Sequence, residues 1–320
     1  MKLSICMPTF NRSAHLKSLL EVIFTQLKKY ELLNAVEVLV SDNDSVDDTA
    51  TVVQEFLPLG LKYRKNDTNI GPDANFLKLF EQAKGDYIWL PGDDDSINAD
   101  TLPYIIKLID TERFDYLYLR STGAPPTAQR DADVVTAKQL LMSTSIYTTF
   151  MTSQVIRADL IKCQINEARK FLGGFMAYYS IFLKALYNSR KCLISQCQEV
   201  YAGSAANTGG YRFYKVWSVS VTEVLLESPF GTDKEVVDRF KTDMLLYLLL
   251  PITYQVRTTN KGFRFDSEDP TSALETHYND SFARSLWSYY LKGNLQMLKV
   301  LNLALRAVIK ARRLMNKQVI

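Results

Sequence analysis

The chain has 320 residues, 47% hydrophobic and 23% charged, which excludes disordered, collagen-like and low-complexity classes and leaves ample chain for a buried core. Its four cysteines (Cys6, Cys163, Cys192, Cys197) form no CxxC pair, so reduced thiols in a cytosolic protein are the simplest expectation and no disulfide scaffold is needed. The net charge of +3 hides an asymmetry: Ser281–Ile320 carries eight basic residues and no acidic one, which leaves 30 basic and 35 acidic residues before it, an acidic body with a basic tail.

Over the first 120 residues, short apolar runs alternate with helical periodicity, predicting an α/β fold with a mostly parallel sheet and helices on its faces. Strands are expected at Leu3–Met7, Glu37–Val40, Leu61–Arg64, Tyr87–Leu90 and Tyr116–Arg120. Between the first two, Leu16, Leu19, Leu20, Ile23, Phe24 and Leu27 fall on one face of an amphipathic helix. Ser45 and Asp48 have a capping-box-like spacing that starts a second helix through Val52, Val53 and Phe56. Pro72 suits the first position of a third, with Phe76, Leu77 and Phe80 inward. Ser121–Asp133 is expected to be an exposed loop. About 134–210 mixes a short helix, strand-like Ser153–Arg157 and Leu193–Ser195, and an aromatic-rich helix near Met176–Asn188. From Trp217 helical periodicity dominates, interrupted by the polar stretch Thr258–Thr271. The expected division is 1–210 for the α/β part and 211–320 for a mainly helical part.

In an open α/β sheet, ligands bind beyond the carboxyl ends of the strands. Those ends read Pro8 to Arg12, Ser41 to Ser45, Asn66 to Gly71 and Pro91 to Asp95, four polar tips on one edge. The successive carboxylates Asp93, Asp94 and Asp95 repel one another, and a hard divalent ion would relieve them; all-oxygen ligands favour magnesium or manganese. The same turn could equally cap a helix beginning near Asn98 or Asp100. Asp42 with Asn43, Asp44 and Ser45 is either ordinary turn chemistry or a carboxylate placed to accept a base N–H. Gly71 either closes a turn or lets a phosphate approach a helix N-terminus.

As an ordered set these motifs resemble the nucleotide-binding half of glycosyltransferase family 2, GT-A fold enzymes that use nucleotide-sugar donors. Pro8-Thr9-Phe10-Asn11-Arg12 matches the family's first turn, and Asp42-Asn43-Asp44-Ser45 with Asp47 or Asp48 its second. Asn69-Ile70-Gly71 and Asp93-Asp94-Asp95 match the third and fourth, and Asp100-Thr101-Leu102 fits the continuation. The likeness covers about residues 1–120 well and 121–210 loosely, and the stretch from Trp89 to Asp95 looks like bacterial O-antigen or capsule transferases, abequosyltransferase-like members included. By that resemblance Asp42 reads the nucleobase, and Pro8, Thr9, Phe10, Asn11, Arg12, Asn43, Asn69, Gly71, Asn75 and Asp93 form the nucleotide-sugar site. Asp93, Asp94 and Asp95 hold manganese or magnesium on the diphosphate. The implied partners are a UDP-, CDP-, GDP- or dTDP-linked donor and a glycan or lipid-linked acceptor, in the cytoplasm or at the inner face of its membrane.

One departure stands out. Inverting members carry an acidic residue before an apolar helix in the second half, to deprotonate the acceptor. The corresponding stretch, Gly173–Ser180, has no carboxylate. The remaining acidic candidates for catalysis are Asp95 and Glu199, with Asp159, Glu167 and Glu199 itself as charges more in keeping with surface or helix ends. A silent sugar-nucleotide-binding or assembly protein is therefore one alternative, and a nucleotidyltransferase, lacking its Gly/Arg/Lys-rich phosphate loop, another. No GxGxxG or GxxxxGK[ST] occurs.

At the carboxyl terminus, Leu298, Leu301, Leu305, Val308 and Ile309 recur at helical spacing beside Lys299, Arg306, Lys310, Arg312 and Arg313. This helix either packs on the body with a solvated basic face or lies on an anionic membrane surface. A nucleic-acid partner is not expected, because the last 25 positions hold no aromatic platform. No apolar run reaches the ~20 residues that span a bilayer, and Leu3–Met7, followed at once by Pro8, is too short for a signal peptide.

Overall fold

The computed structural model describes residues 1–112, 114–123, 130–203, 212–258 and 270–316, with side chains to residue 311. Much of the loop expected at Ser121–Asp133, most of Thr258–Thr271, the boundary expected at 210/211 and the basic side chains of Arg312, Arg313 and Lys317 lie outside the described residues. The chain divides into two compact units, Met1–Leu140 with Tyr147–Ser204, and Leu141–Ile146 with Ala205–Ile320.

The first unit is built on strands β1 (Leu3–Thr9), β2 (Val36–Asp42), β3 (Lys62–Lys65), β4 (Tyr87–Trp89), β5 (Ser96–Ile97), β6 (Tyr116–Arg120), β7 (Ala132–Val135), β8 (Gln154–Arg157), β9 (Cys192–Gln198) and β10 (Val200–Tyr201). Eight of them form one sheet in the order β3-β2-β1-β4-β8-β6-β9-β7, and β5 pairs with β10 apart from it. The half from β3 to β4 is parallel throughout, as alternating strands and helices require. Beyond β4 the segment expected at Ser153–Arg157 enters as β8, antiparallel to both β4 and β6.

Helices α1 (Ser13–Lys29), α2 (Thr49–Gln54), α3 (Pro72–Gln82), α4 (Thr101–Glu112), α5 (Ala137–Thr144), α6 (Ala158–Lys162), α7 (Ile165–Ala168) and α8 (Ala177–Tyr187) follow the strands. Side chains alternate across β1: Leu3, Ile5 and Met7 join Leu16, Leu20 and Ile23 of α1 and Leu102 and Ile105 of α4 in one core. Cys6 faces the other way, its Sγ 3.9 Å from the Leu79 carbonyl of α3. All four cysteines are free thiols. The capping box expected from Ser45 and Asp48 does not form: α2 starts at Thr49, whose amide and hydroxyl donate to Asp47, and Phe56 follows the helix end.

The second unit is helical: α9 (Val221–Glu227), α10 (Lys234–Met244), α11 (Leu250–Thr258), α12 (Pro270–His277), α13 (Ser281–Lys292) and α14 (Leu295–Asn316). Asp233 and Asp280 cap α10 and α13 by accepting from Val236 and Ala283 amides. Among the described residues no helix is long and apolar enough to cross a membrane.

One buried charge fastens the parallel half. Glu37 accepts from the Ser4 hydroxyl and Lys84 amide on one oxygen and from Lys62 Nζ on the other, each at 2.5 Å. Burial pushes this carboxyl up, and the bonds from Lys62, Ser4 and Lys84 outweigh it, leaving it below its ordinary range. A depressed carboxyl stabilises the fold above its unfolded value, near ~4.3, and that contribution disappears as pH falls through the folded value. Glu37→Gln is expected to cost about 1–3 kcal/mol at pH 7, and the gap in Tm between variant and wild type should close on acidification below pH ~4; calorimetry across that range checks both.

Candidate functional site

Strand order reverses at β1: β2 and β3 lie on one side and β4 returns to the other, so the carboxyl ends of β1 and β4 open beside each other. This is the place where an α/β sheet leaves a crevice. The residues following β1 and β4 meet there through one carboxylate. Asp93, 4% exposed, accepts from Thr9 Oγ1 at 2.7 Å and from Arg12 Nη1 at 3.1 Å. The same Nη1 lies 3.2 Å from Asp94 Oδ2. Burial pushes the Asp93 carboxyl up against the opposing pull of Arg12 and Thr9. Arg12 is held above its ordinary value, because Asp93 and Asp94 outweigh its own burial.

The three aspartates do not act as one ligand set. Asp93 turns inward and Asp94 keeps a partly open side chain toward Arg12. Asp95 accepts from the Thr152 hydroxyl and from the Gly203 amide at 2.8 Å, and burial chiefly pushes its carboxyl up to about 6. Thr152 in turn accepts from the Gly92 amide at 2.9 Å, locking the turn. The crowded carboxylates thus relieve their repulsion through protein donors, Asp93 and Asp94 sharing Arg12 and Asp95 turning to Thr152 and Gly203. Among the described residues no three Asp, Glu, His or Cys side chains gather into a metal-holding group. Gly203 is confined to glycine, since a Cβ there would stand 1.9 Å from the Asp94 carbonyl oxygen.

The turns after β1 and β2 interlock. Pro8 continues β1, paired with Ser41. Asn11 adopts a left-handed φ of 53°, a conformation its short polar side chain tolerates. Its amide donates to Ser45 Oγ at 2.9 Å, and its Oδ1 accepts from the Val46 amide at 2.8 Å. The Ser13 amide at the start of α1 donates to Asp47 Oδ2 at 2.8 Å, so an aspartate from the second turn caps the helix of the first. Phe10 is 42% exposed at this edge.

Asp42, expected to read a base, is fully enclosed: Oδ1 accepts from the Ser45 amide and Oδ2 from the Tyr63 hydroxyl, both at 2.7 Å. It orders the turn and presents no open oxygen. Asn43 donates to Asn69 Oδ1 at 2.8 Å and accepts from Asn66 and from the Ile70 amide. Asn75, equally buried, bonds the Ser41 hydroxyl and carbonyl and Asn66. Asn69 Oδ1 also accepts from the Gly71 amide, and Gly71 carries the left-handed φ of 81° that leads into α3. The sequence singled out Asn43, Asn69 and Asn75 and placed Asn66 on a strand tip, and missed Tyr63, whose signal is only an aromatic residue within β3.

The stretch without a carboxylate, Gly173–Ser180, receives one from elsewhere. Asp73 of α3 accepts from the amides of Gly173 at 3.0 Å, Phe175 at 2.8 Å and Ala177 at 3.0 Å. It is 2% exposed, and burial pushes its carboxyl up despite these three donors. It therefore caps α8 and fixes the preceding loop. The other acidic candidates are engaged elsewhere. The exposed carboxylates of Asp159 and Glu167 pair with Arg157 and Lys184, while Glu199 is buried against Arg130 and Thr101 at the start of α4.

A sequence profile of glycosyl transferase family 2 matches residues 4–152. Over 120 residues the chain is 37% identical to an abequosyltransferase of Salmonella typhimurium, covering 37% of this chain and 35% of that protein. Over 241 residues it is 25% identical to the poly(ribitol-phosphate) beta-N-acetylglucosaminyltransferase TarS of Staphylococcus aureus, covering 70% of this chain and 41% of that one. The match thus spans well under half the length of either relative. Among solved structures, TarS 1–349 in complex with UDP-GlcNAc superposes with a TM-score of 0.61 at 19% identity, over 93% of this chain and 84% of that one. A mannosyltransferase from Pyrobaculum calidifontis in complex with GDP-Man and Mn2+ gives 0.51 at 12% identity, over 93% and 85%. These likenesses establish the GT-A fold.

Removing the Asp73 carboxylate strands three amides. Asp73→Ala is expected to cost about 2–4 kcal/mol in urea denaturation, with hydrogen exchange quickening at Gly173, Phe175 and Ala177; Asp73→Asn, which keeps one acceptor oxygen, should fall between.

Proposed function

We propose that this chain, whose residues 4–152 match the profile of glycosyl transferase family 2, moves a sugar from a nucleoside diphosphate sugar to a glycan or lipid-linked acceptor in building a bacterial surface polysaccharide. The observation that carries this reading is the meeting of Arg12, Asp93 and Asp94 where the strand order reverses. A guanidinium matches two phosphate oxygens at once, and Arg12, paired with Asp93 and still 38% exposed, would turn its open side to a diphosphate. Phe10 would wall the nucleoside, and the turns braced by Asp42, Asn43 and Asn69 would set its distance from the phosphates.

The donor set around Asp94 suits a hard divalent ion. Magnesium and manganese are commonly held by one or two carboxylates, with the remaining positions left to phosphate oxygens and water. Asp94, whose side chain stays partly open, would supply such a carboxylate, and Asp93 would serve by positioning Arg12. Such an ion supplies charge neutralisation on a departing diphosphate, a task Arg12 would share from the protein side.

Acceptor deprotonation has no carboxylate in Gly173–Ser180, and this supports a second reading, a domain that binds nucleotide sugar without transferring it. A thermal-shift screen of UDP, CDP, GDP and dTDP, each with and without manganese, should single out one nucleotide, because a ligand binding only the native state raises Tm with the logarithm of its excess. Asp94→Asn is then expected to weaken manganese-dependent binding of that nucleotide at least ~10-fold, the worth of one charge-assisted contact, with Tm in its absence unchanged. Equal affinity in calorimetry would remove Asp94 from the site. Binding without donor hydrolysis or transfer across an acceptor panel would favour the silent domain.

A further inference from the structure

We propose that α14 docks on an anionic lipid surface, through a face other than the one its sequence first suggests. The helix carries two apolar faces. Leu298, Asn302 and Leu305 are buried, at the i, i+4 and i+7 spacing of one stripe, and α14 packs with α11 inside its own unit. The leucines whose spacing suggests a membrane face are therefore in large part spent on packing. A second face stays open: Met297 is 58% exposed, Val300 66%, Leu303 71% and Val308 49%, with Ala304 and Ala307 exposed among them. At ~100° per residue, Met297, Val300, Ala304 and Ala307 form one line, flanked by Leu303 and Val308. Lys299, Arg306 and Lys310, all exposed, run between the buried and open faces.

Charge decides the occupant. A second copy of this helix would bring the same basic row with it, and the 40 residues from Ser281 to Ile320 contain no acidic residue to answer it. An anionic bilayer satisfies both features at once. Apolar side chains enter the boundary between headgroups and acyl chains, and the flanking cations stay at headgroup level. Each basic residue at such a surface strengthens binding about fivefold. The inference goes beyond the transfer reaction and holds whichever sugar is moved.

Co-sedimentation of the full chain with vesicles tests it, comparing phosphatidylcholine alone with phosphatidylcholine containing phosphatidylglycerol. Binding should appear with the anionic vesicles and weaken with salt. The triple change Lys299→Gln, Arg306→Gln, Lys310→Gln should lower it about 100-fold. Val300→Ser with Leu303→Ser should lower it at least ~10-fold, while the exposed positions keep Tm and nucleotide binding unchanged. Equal binding to both vesicle types, or undiminished binding by the serine variant, overturns the proposal. So does a lipid-free dimer in sedimentation velocity that the serine variant converts to monomer, which would make the face a contact between copies.

Discussion

A carboxylate almost out of reach of water has to be answered by the protein itself, and Asp93 is answered by residues 81 and 84 positions away, Arg12 and Thr9. Leaving such a charge buried and unpaired costs several kcal/mol, so the crevice is not a passive gap between strands. It exists because β1 and β4 pair in parallel from Leu3↔Tyr87 to Ile5↔Trp89, and the chain beyond β4 keeps that offset far enough to bring Asp93 to Thr9. The left-handed Asn11 then turns the chain so that Arg12 reaches back over Asp93. The same guanidinium that settles Asp93 also touches Asp94, and thereby ties the stability of the sheet end to the electrostatics of its open surface.

The elements that periodicity reveals are those whose period reports burial. β1, β2, β4 and β6 are apolar because both faces of a central strand are covered, and α1 and α3 show one inward stripe each. What periodicity does not carry is direction. Nothing in Gln154–Arg157 states that it must run antiparallel between β4 and β6, because that depends on partners distant in sequence. Two-residue strands such as β5 and β10 hold too few side chains to show a period at all.

In the site, residue type was legible and orientation was not. An aspartate after β2 signals a functional or turn-forming carboxylate equally well, and Tyr63, 21 residues on, decides by closing its second oxygen. Three consecutive aspartates suggest a shared cation, yet Thr9, Arg12, Thr152 and Gly203 draw them apart. These partners come from three separate segments, two of them beyond β4. Local composition therefore exposed the charges, and only the assembled fold showed which of them remains open.

The loop before α8 extends this dependence to the other flank of the sheet end. Phe175 holds a φ of 63°, a conformation that costs an aromatic residue about 1–3 kcal/mol. Asp73 over-determines it by accepting on both sides of the strained residue, and its charge also sits at the positive ends of α3 and α8. Two residues before Asp73 stands Gly71, whose amide is held by Asn69, itself bonded to Asn43. One short connector thus carries the asparagine-braced turn at its start and, two residues later, the aspartate that holds the strained loop. A displacement of the β2 and β3 tips cannot be absorbed there without straining the Asp73 bonds, so the segment lacking its own carboxylate is positioned by the same scaffold that orders the proposed nucleotide site.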